Sequence, residues 1–471
     1  MATFIQELAA FCFELSLDAV PDVVTGRMEE CLADTLACVI AAAAEPDAPL
    51  IEQIIAQAGL ERDRPEATVI GAGWKTSARA AALANCTMAR YLDANDIYMP
   101  PGGSLSGSGH FSDAIPGLIA AAEHTGATGA ELLAALIAAY EVQAALADSM
   151  PWLDRGFHSV SQVTVAVALG AGKLMGLSQE ALAHAAGLAA TSGAFVQTWL
   201  RPGTGVSSLK SAAPGLAAER GILCAELAAR GLTAPHDALE ALLDYFAGNR
   251  VSSLGRERLG REWTVLRNAI KPVPAQIYTQ PIVQCAARLY DQGLRLDDID
   301  RLTVRSNDGA CGRVQGSPGA FAPESRGAAD HSTPFVVAMT LRDGGLTLDS
   351  YAGEPWFDPD LRAAMARFEL IIDPEWNARL ETVGLIGGEI EARDKTGSSY
   401  RAEVRQFRGH PDNPLGNDEL IAKLEAFTGR AEALGSGTGP ELLRRCRALR
   451  SEPSVMPLIE LLTWTGEQWT E

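Results

Sequence analysis

From residue 76 to residue 247 the sequence is written almost wholly in helix formers, with Ala and Leu dominant and Gly, Pro and Ser as punctuation. Such a run can fold only into packed helices, because small side chains let helix axes approach closely and nothing in it alternates with a strand's period. Gly126, Gly129, Gly176 and Gly231 stand where helices should end. Upstream, Leu32, Leu36, Val39 and Ile40 follow i, i+4, i+7, i+8 spacing, an apolar stripe for one helix face. No fixed-period repeat appears, which argues against a solenoid.

The pattern changes after about residue 268. Ile299 to Arg305 alternates like a half-buried strand, and strands over 386–393 and 400–406 flank Asp-Lys-Thr-Gly-Ser, which reads as a hairpin turn. A helical piece, 331–342, follows Asp330. Residues 417–471 turn helical again and are expected to pack back on the first domain. The division is therefore 1–268 all-helical, 269–408 smaller α+β, and 409–471 returning helices; 471 residues exceed one ordinary core.

Charge and cysteine usage narrow the function classes. A formal net charge of −20 argues against nucleic acid as a partner, and means that only a local basic cluster could attract an anion. The eight cysteines, at 12, 31, 38, 86, 224, 285, 311 and 446, form no C-x-x-C pair and read as reduced, buried thiols of a cytoplasmic protein. The N-terminus carries Glu7 and Glu14 without a basic region, unlike a signal peptide, and no apolar run is expected to span a membrane. Gly103-Ser-Leu-Ser-Gly107 has leucine where a nucleophile elbow needs serine, and Gly170-Ala-Gly-Lys173 lacks the rest of a phosphate-binding loop. H-E-x-x-H is absent, and no G-x-G-x-x-G follows a strand. Acid–base chemistry without a cofactor remains.

The residues for such chemistry are spread along the chain. Asp93, Asn95 and Asp96 close the apolar stretch 76–92, and Pro100 and Pro101 stop its helix. A nearly chargeless Gly/Ser loop, 102–109, leads to His110, and Asp113 reads as an N-cap because Pro116 suits a helix's first turn. His158 precedes the helical run 160–175, where the helix dipole favours a neutral ring. Lys210 lies before a long helix that Pro214 should open, a costly place for a cation unless an anion binds there. Lys271 heads the stiff Lys-Pro-Val-Pro segment at the domain junction. Each also has a plain structural reading as a cap, a surface residue or a linker. His184 and His410 receive only that reading, and Asp330 is split between N-cap and site residue.

Leu-Asp-Ala-Asn-Asp-Ile-Tyr followed by His-Phe-Ser-Asp resembles the Leu-Asp-Phe-Asn-Asp-Thr-Tyr and His-Pro-Ser-Asp pair of the 2-methylcitrate dehydratase (MmgE/PrpD) family. The histidine before its helix, Ser-Ser-Leu-Lys210, Lys271-Pro-Val-Pro-Ala and Asp330-His331-Ser-Thr-Pro-Phe are similar to further family stretches in the same order. One departure is that Ile277 or Tyr278 stands where many members carry histidine. The resemblance implies a large all-helical domain formed by both chain ends, with the smaller α+β domain inserted, a homodimer, and no cofactor or metal. It implies lyase or isomerase work on small di- or tricarboxylates: dehydration of a 2-methylcitrate-like acid, with cis-aconitate decarboxylation, iminodisuccinate epimerisation or a catalytically silent carboxylate-binding scaffold as alternatives. In that reading His110 and His158 move protons, Lys210 and Lys271 hold carboxylates, and Asp93 orients and charges a neighbouring histidine. Asp96, Tyr278, His331 and Arg201 complete the substrate contacts.

Overall fold

The computed structural model describes residues 2–45, 48–100, 108–198, 206–246 and 252–464. Two hydrophobic cores divide the chain. The first is built from residues of the N-terminal helices through Ile270 and again from Leu420 to Trp464. The helices Asn417–Thr428 and Thr438–Ala448 thus pack on Asp22–Ala43, the helix carrying the Leu32–Ile40 stripe. The second core gathers residues 269–407 together with Ile97 and Met99.

Glycine sets the helix spacing in the first core. The Leu209–Ala229 helix lies between Ala78–Tyr91 and Val160–Leu174. At Gly215 a Cβ would fall 2.3 Å from the Leu83 carbonyl oxygen, and at Gly221 2.8 Å from that of Thr164. Backbone meets backbone at both crossings, so three helices that carry or directly follow site residues are held in close register. Gly126, Gly176 and Gly231 end helices with positive φ as expected. Gly129 instead begins one, Gly129–Ala147, behind a Thr128/Glu131 capping box, and a Cβ there would overlap the Leu449 carbonyl at 1.8 Å. Among the described residues that helix alone is long and apolar enough to cross a membrane, and it is 89% buried within the protein.

The second core rests on a four-stranded sheet ordered Phe368–Ile372, Ile299–Ser306, Gly388–Asp394, Ser399–Val404. The first pair is parallel, with Leu302 opposite Phe368; the others are antiparallel, with Val304 opposite Ile390 and Ile390 opposite Ala402. The hairpin turn closes as its sequence suggests, with Asp394 Oδ1 accepting the N–H groups of Thr396 and Ser398. The helices Gln280–Asp291 and Thr333–Asp343 pack on each other, and the first of them also packs on the sheet. A short antiparallel pairing of Ile97–Tyr98 with Asn268–Ala269 stitches the two cores together. It places Lys271 directly beside the Asp93 segment.

Candidate active site

The Ala78–Tyr91 helix gives way at Leu92, and Asp93 takes φ +50°, a left-handed conformation that, apart from glycine, Asn and Asp tolerate best. This turn reverses the chain and aims a fully buried carboxylate back at the helix. Arg90 Nη1 lies 3.1 Å from it, Lys210 Nζ 3.3 Å and Lys271 Nζ 3.4 Å. Lys271 also donates to the Asp93 carbonyl at 2.8 Å. Burial alone would raise the Asp93 pKa, but Lys210, Lys271 and Arg90 outweigh it and hold the carboxyl well below the usual range. Lys271 is pushed the other way, to about 8, by burial and by Arg90 and Lys210 against the pull of Asp93.

The next residues fix this turn. Lys423 donates to the Ala94 carbonyl at 2.9 Å and pairs with Asp34. Asn95 Nδ2 donates to Ser112 Oγ at 3.1 Å and Asp113 Oδ1 at 3.0 Å. Asp96 accepts from Ser112 N–H, Tyr140 O–H and Asn268 Nδ2 at 3.2, 2.9 and 3.0 Å. Its carboxylate is committed to holding three segments together and does not reach the cavity wall, so its place is that of a brace, not the expected substrate contact. Asp113 does not cap a helix either. It sits inside the 3-10 turn Phe111–Ala114, which feeds Ile115–Thr125 with Pro116 in its first turn, and burial raises its pKa to about 7.

A cavity of about 140 Å³ opens beside Asp93, between the two cores. Three of the chain's seven histidines line it, in three different states. His110 is buried, and its Nδ1 has no hydrogen-bond partner among the described residues; burial and then Arg90 and Lys271 hold its pKa well below normal. His158, just before the Val160–Leu174 helix, accepts the Val160 N–H on Nδ1 at 3.2 Å. Its pKa falls to about 3 through burial, Arg90 and Lys210, so the ring is neutral and its proton stands on Nε2. His331 has the reverse arrangement: its Nδ1 is bound to Asp330 Oδ1. An Nδ1–H donated to that carboxylate leaves Nε2 with a lone pair.

Asp330 is thus a site residue, and the N-cap of Thr333–Asp343 is Ser332, whose Oγ accepts the Phe335 N–H at 3.0 Å. The histidine's carboxylate partner is Asp330; Asp93 answers cations. Lys210 occupies the second position of Leu209–Ala229, with Pro214 inside that helix instead of opening it. Proline has no N–H for the Lys210 carbonyl, a local fault that the surrounding packing absorbs. Lys210 Nζ stands between Asp93 and Asp330, 3.8 Å from the latter, and makes no hydrogen bond among the described residues. Lys210 and Lys271 lie behind Asp93 and are not on the cavity wall itself.

The remaining wall comes largely from the second core: Gln276, Tyr278, Arg313 and Gln315, with Ile277 and Val314 between them. Tyr278 lies against Gly309, where a Cβ would approach its ring within 2.4 Å, and burial pushes its phenol up to about 12. Arg313 reaches the cavity from a strained backbone, φ +35°, held by Asp308 at 2.8 Å. Arg90, Gln276, Arg313 and Gln315 were not foreseen; only Arg90, one helical turn before Asp93, carried a local clue. Arg201 lies outside the described residues. Asp93, Asp330 and His331 have ligand atoms within 4.8 Å of one another, the spacing of a metal site. Lys210 stands between the two carboxylates and supplies the positive charge an ion would bring, so the set is built for ammonium chemistry more than for a metal.

Histidines lining a pocket between a helical core and an α+β lobe, backed by buried cations, are groups suited to moving protons beside negative charge. The MmgE/PrpD N-terminal domain matches residues 6–247 and the MmgE/PrpD C-terminal domain residues 273–433, and the chain belongs to this family. It is 28% identical to the 2-methylcitrate dehydratase of Salmonella typhi over 425 residues, 84% of each chain. It is 26% identical over 402 residues to a probable 2-methylcitrate dehydratase of Saccharomyces cerevisiae, covering 78% of this chain and 73% of the relative. Human cis-aconitate decarboxylase is 29% identical over 320 residues, 64% of this chain and 62% of its own length.

Proposed function

We propose that this chain is a carbon–oxygen lyase that removes water from 2-methylcitrate or a closely related tricarboxylate, by acid–base chemistry without a cofactor. The observation that carries the reading is the opposed Nδ1 partners of two histidines on one cavity, a backbone N–H for His158 and a carboxylate for His331, with Lys210, Lys271 and Arg90 behind them. Asp93 thus carries a buried surplus of cations, whose field a polyanion in the cavity would answer. Arg90 and Arg313 themselves line the cavity and supply positive charge to it.

His331 Nε2 takes the proton from the carbon next to a carboxylate, and Asp330 steadies the imidazolium that forms. The C–H electrons become the C=C bond, and the hydroxyl leaves the neighbouring carbon with its bonding pair. His110 delivers the proton that turns it into water. Its pKa is low in the free protein because of burial and cations; a bound polyanion offsets both and lets the ring take up a proton. His158 donates from Nε2 and cannot accept there, so it binds an oxygen and is not the base. This moves the base from His110 or His158 to His331.

The protein is read as a homodimer on the family resemblance, which sedimentation would check, and eight buried free thiols suit a cytoplasmic setting. Purified protein is to be incubated with 2-methylcitrate, citrate, cis-aconitate and iminodisuccinate. Alkene absorbance from 2-methylcitrate is expected. Carbon dioxide from cis-aconitate would favour the decarboxylase reading, and a changed stereoisomer ratio of iminodisuccinate the epimerase one. Calorimetric binding with no product would leave only a carboxylate-binding protein.

A further inference from the structure

We propose that Glu180, His184 and His236 form a binding site for a divalent transition metal, Zn²⁺ by preference, remote in chemistry from the cavity and independent of the reaction assigned to it. Glu180 and His184 lie one turn apart on the Gln179–Ser192 helix, and His236 stands just before Ala238–Phe246. Both Nε2 atoms point at the same oxygen, Glu180 Oε1, at 3.5 Å from His184 and 3.4 Å from His236. These distances are long for hydrogen bonds. They match the separation of about 3.4 Å between ligand atoms of a tetrahedral ion with bonds near 2.0–2.1 Å. All three ligand atoms lie within 4.8 Å of one another. His236 Nε2 is shielded from solvent and makes no hydrogen bond among the described residues. Two imidazoles and a carboxylate, with Glu180 well exposed and a fourth position open to water, suit Zn²⁺ or Co²⁺.

The groups behind the ligands sharpen the inference. His184 Nδ1 faces both the Ala234 carbonyl at 3.2 Å and the Ala234 N–H at 3.3 Å; the tautomer with Nδ1–H donating to the carbonyl is the one that leaves Nε2 free to ligate. His236 Nδ1 faces Gln6 Nε2 at 3.2 Å, while Gln6 Oε1 accepts the Thr3 N–H at 3.0 Å in the cap of the first helix. That amide orientation opposes ligation, because metal on Nε2 requires an Nδ1–H with an acceptor opposite. The Gln6 amide must turn over when the ion binds. Glutamate at this position would accept from both His236 and Thr3, so Gln6→Glu should tighten binding. The two tethered segments lead toward Gln197 on the cavity wall and Phe246, whose ring packs 4.8 Å from Phe157, so an ion braces that flank of the molecule.

The test is titration of the chelator-stripped full-length protein with Co²⁺, followed by its visible absorption, and with Zn²⁺ by calorimetry and thermal melting. One saturable equivalent and a raised melting temperature are expected. They should be lost in His184→Ala/His236→Ala and in the milder, exposed-site Glu180→Gln, and retained in His331→Ala, which disables the cavity's own Asp/His set. Gln6→Glu should bind about 10-fold more tightly. Absence of saturable binding in the wild type, or binding unchanged in the double variant or moved by His331→Ala alone, would overturn the proposal.

Discussion

Replacing Asp93 with Asn removes one negative charge and almost nothing else. Asn has the same size and tolerates φ +50° as readily as Asp, so the turn survives. What changes is that Arg90, Lys210 and Lys271 lose the carboxylate they share at 3.1, 3.3 and 3.4 Å, inside a site of which Asp93 exposes only 1%. Breaking a buried ion pair by deleting one partner costs about 3–5 kcal/mol. Three cations do not triple that figure, because Lys271 has an escape. Its pKa is already about 8 with Asp93 pulling it upward, and without that pull it sheds its proton near neutrality. A loss of about 3–5 kcal/mol is therefore expected at pH 7, measured as the shift of the urea unfolding midpoint at constant slope. Restoring the backbone strain as well, with Asp93→Ala, should add about 1 kcal/mol or more. If Asp93→Asn unfolds within about 0.5 kcal/mol of the wild type, the size of an ordinary surface change, the electrostatic account of the site is wrong.

Asp330→Asn should lower turnover roughly 10²–10⁴-fold, because the amide can turn its NH2 toward His331 Nδ1 and fix the other tautomer, and should also cost about 3–5 kcal/mol, since buried Asp330 pairs with Lys210 and Arg326 as well; steady-state rates at a temperature where the variant is folded check it, and a wild-type rate would acquit the dyad. Burial of Lys271 gives stability a distinctive pH dependence. Below pH 8 both folded and unfolded chains hold its proton and a penalty of about 3 kcal/mol is fully present; between 8 and 10.5 the unfolded chain keeps the proton longer, so this contribution to stability rises with pH. Lys271→Met should flatten that rise in urea titrations across the same window. Gly215→Ala should destabilise by about 1–3 kcal/mol and reduce activity, since its Cβ would force the Lys210 helix off the helix that ends at Asp93.

How far the site could be read from the sequence depended on whether a residue's job is local or distant. Asp93, His110, His158, His331 and Tyr278 were each singled out from helix ends, prolines and family-like strings, and the structure brings them to one cavity. The order of those strings along the chain carried this, because each marks the end of an element and helix ends cluster where two cores meet. Asp96 and Asp113 share the string but point elsewhere, since a carboxylate in a buried turn serves whichever backbone N–H or side chain is nearest. Arg313 and Gln315 gave no local signal, because their approach to the cavity is decided by the packing of the second core. The strand Phe368–Ile372 escaped for a similar reason: it pairs in parallel with residues about 66 positions away, and only that partner makes five residues a strand. Histidine tautomers lie beyond any sequence pattern, for they are set by a single N–H at Val160 and a single carboxylate at Asp330.

The strained turn at Asp93 also explains why the chain's ends must meet. Its carbonyl is held by Lys271 at the start of the second core, and the next carbonyl, Ala94, by Lys423 from a C-terminal helix whose ammonium pairs with Asp34 of the second helix. Lys423→Met would remove that donor while preserving the stem's bulk. Asp34 would then be left buried without its cation. Burial already raises its pKa to about 6 in spite of Lys423, so in the variant it takes up a proton near neutrality, which limits the cost to about 2–4 kcal/mol. The catalytic consequence should be larger than the thermodynamic one. With the Ala94 carbonyl released, Asp93 loses one of its two backbone anchors and its carboxylate drifts from Lys210 and Arg90. Turnover should fall at least about 10-fold, while substrate affinity, owed to cations that stay in place, changes much less. Lys423→Arg, which keeps the charge but not the single-point reach, should recover stability more fully than turnover. If Lys423→Met loses stability yet turns over normally at a temperature where it is folded, the turn does not need its second anchor. The C-terminal helices would then be there to cover the core and not to hold the site.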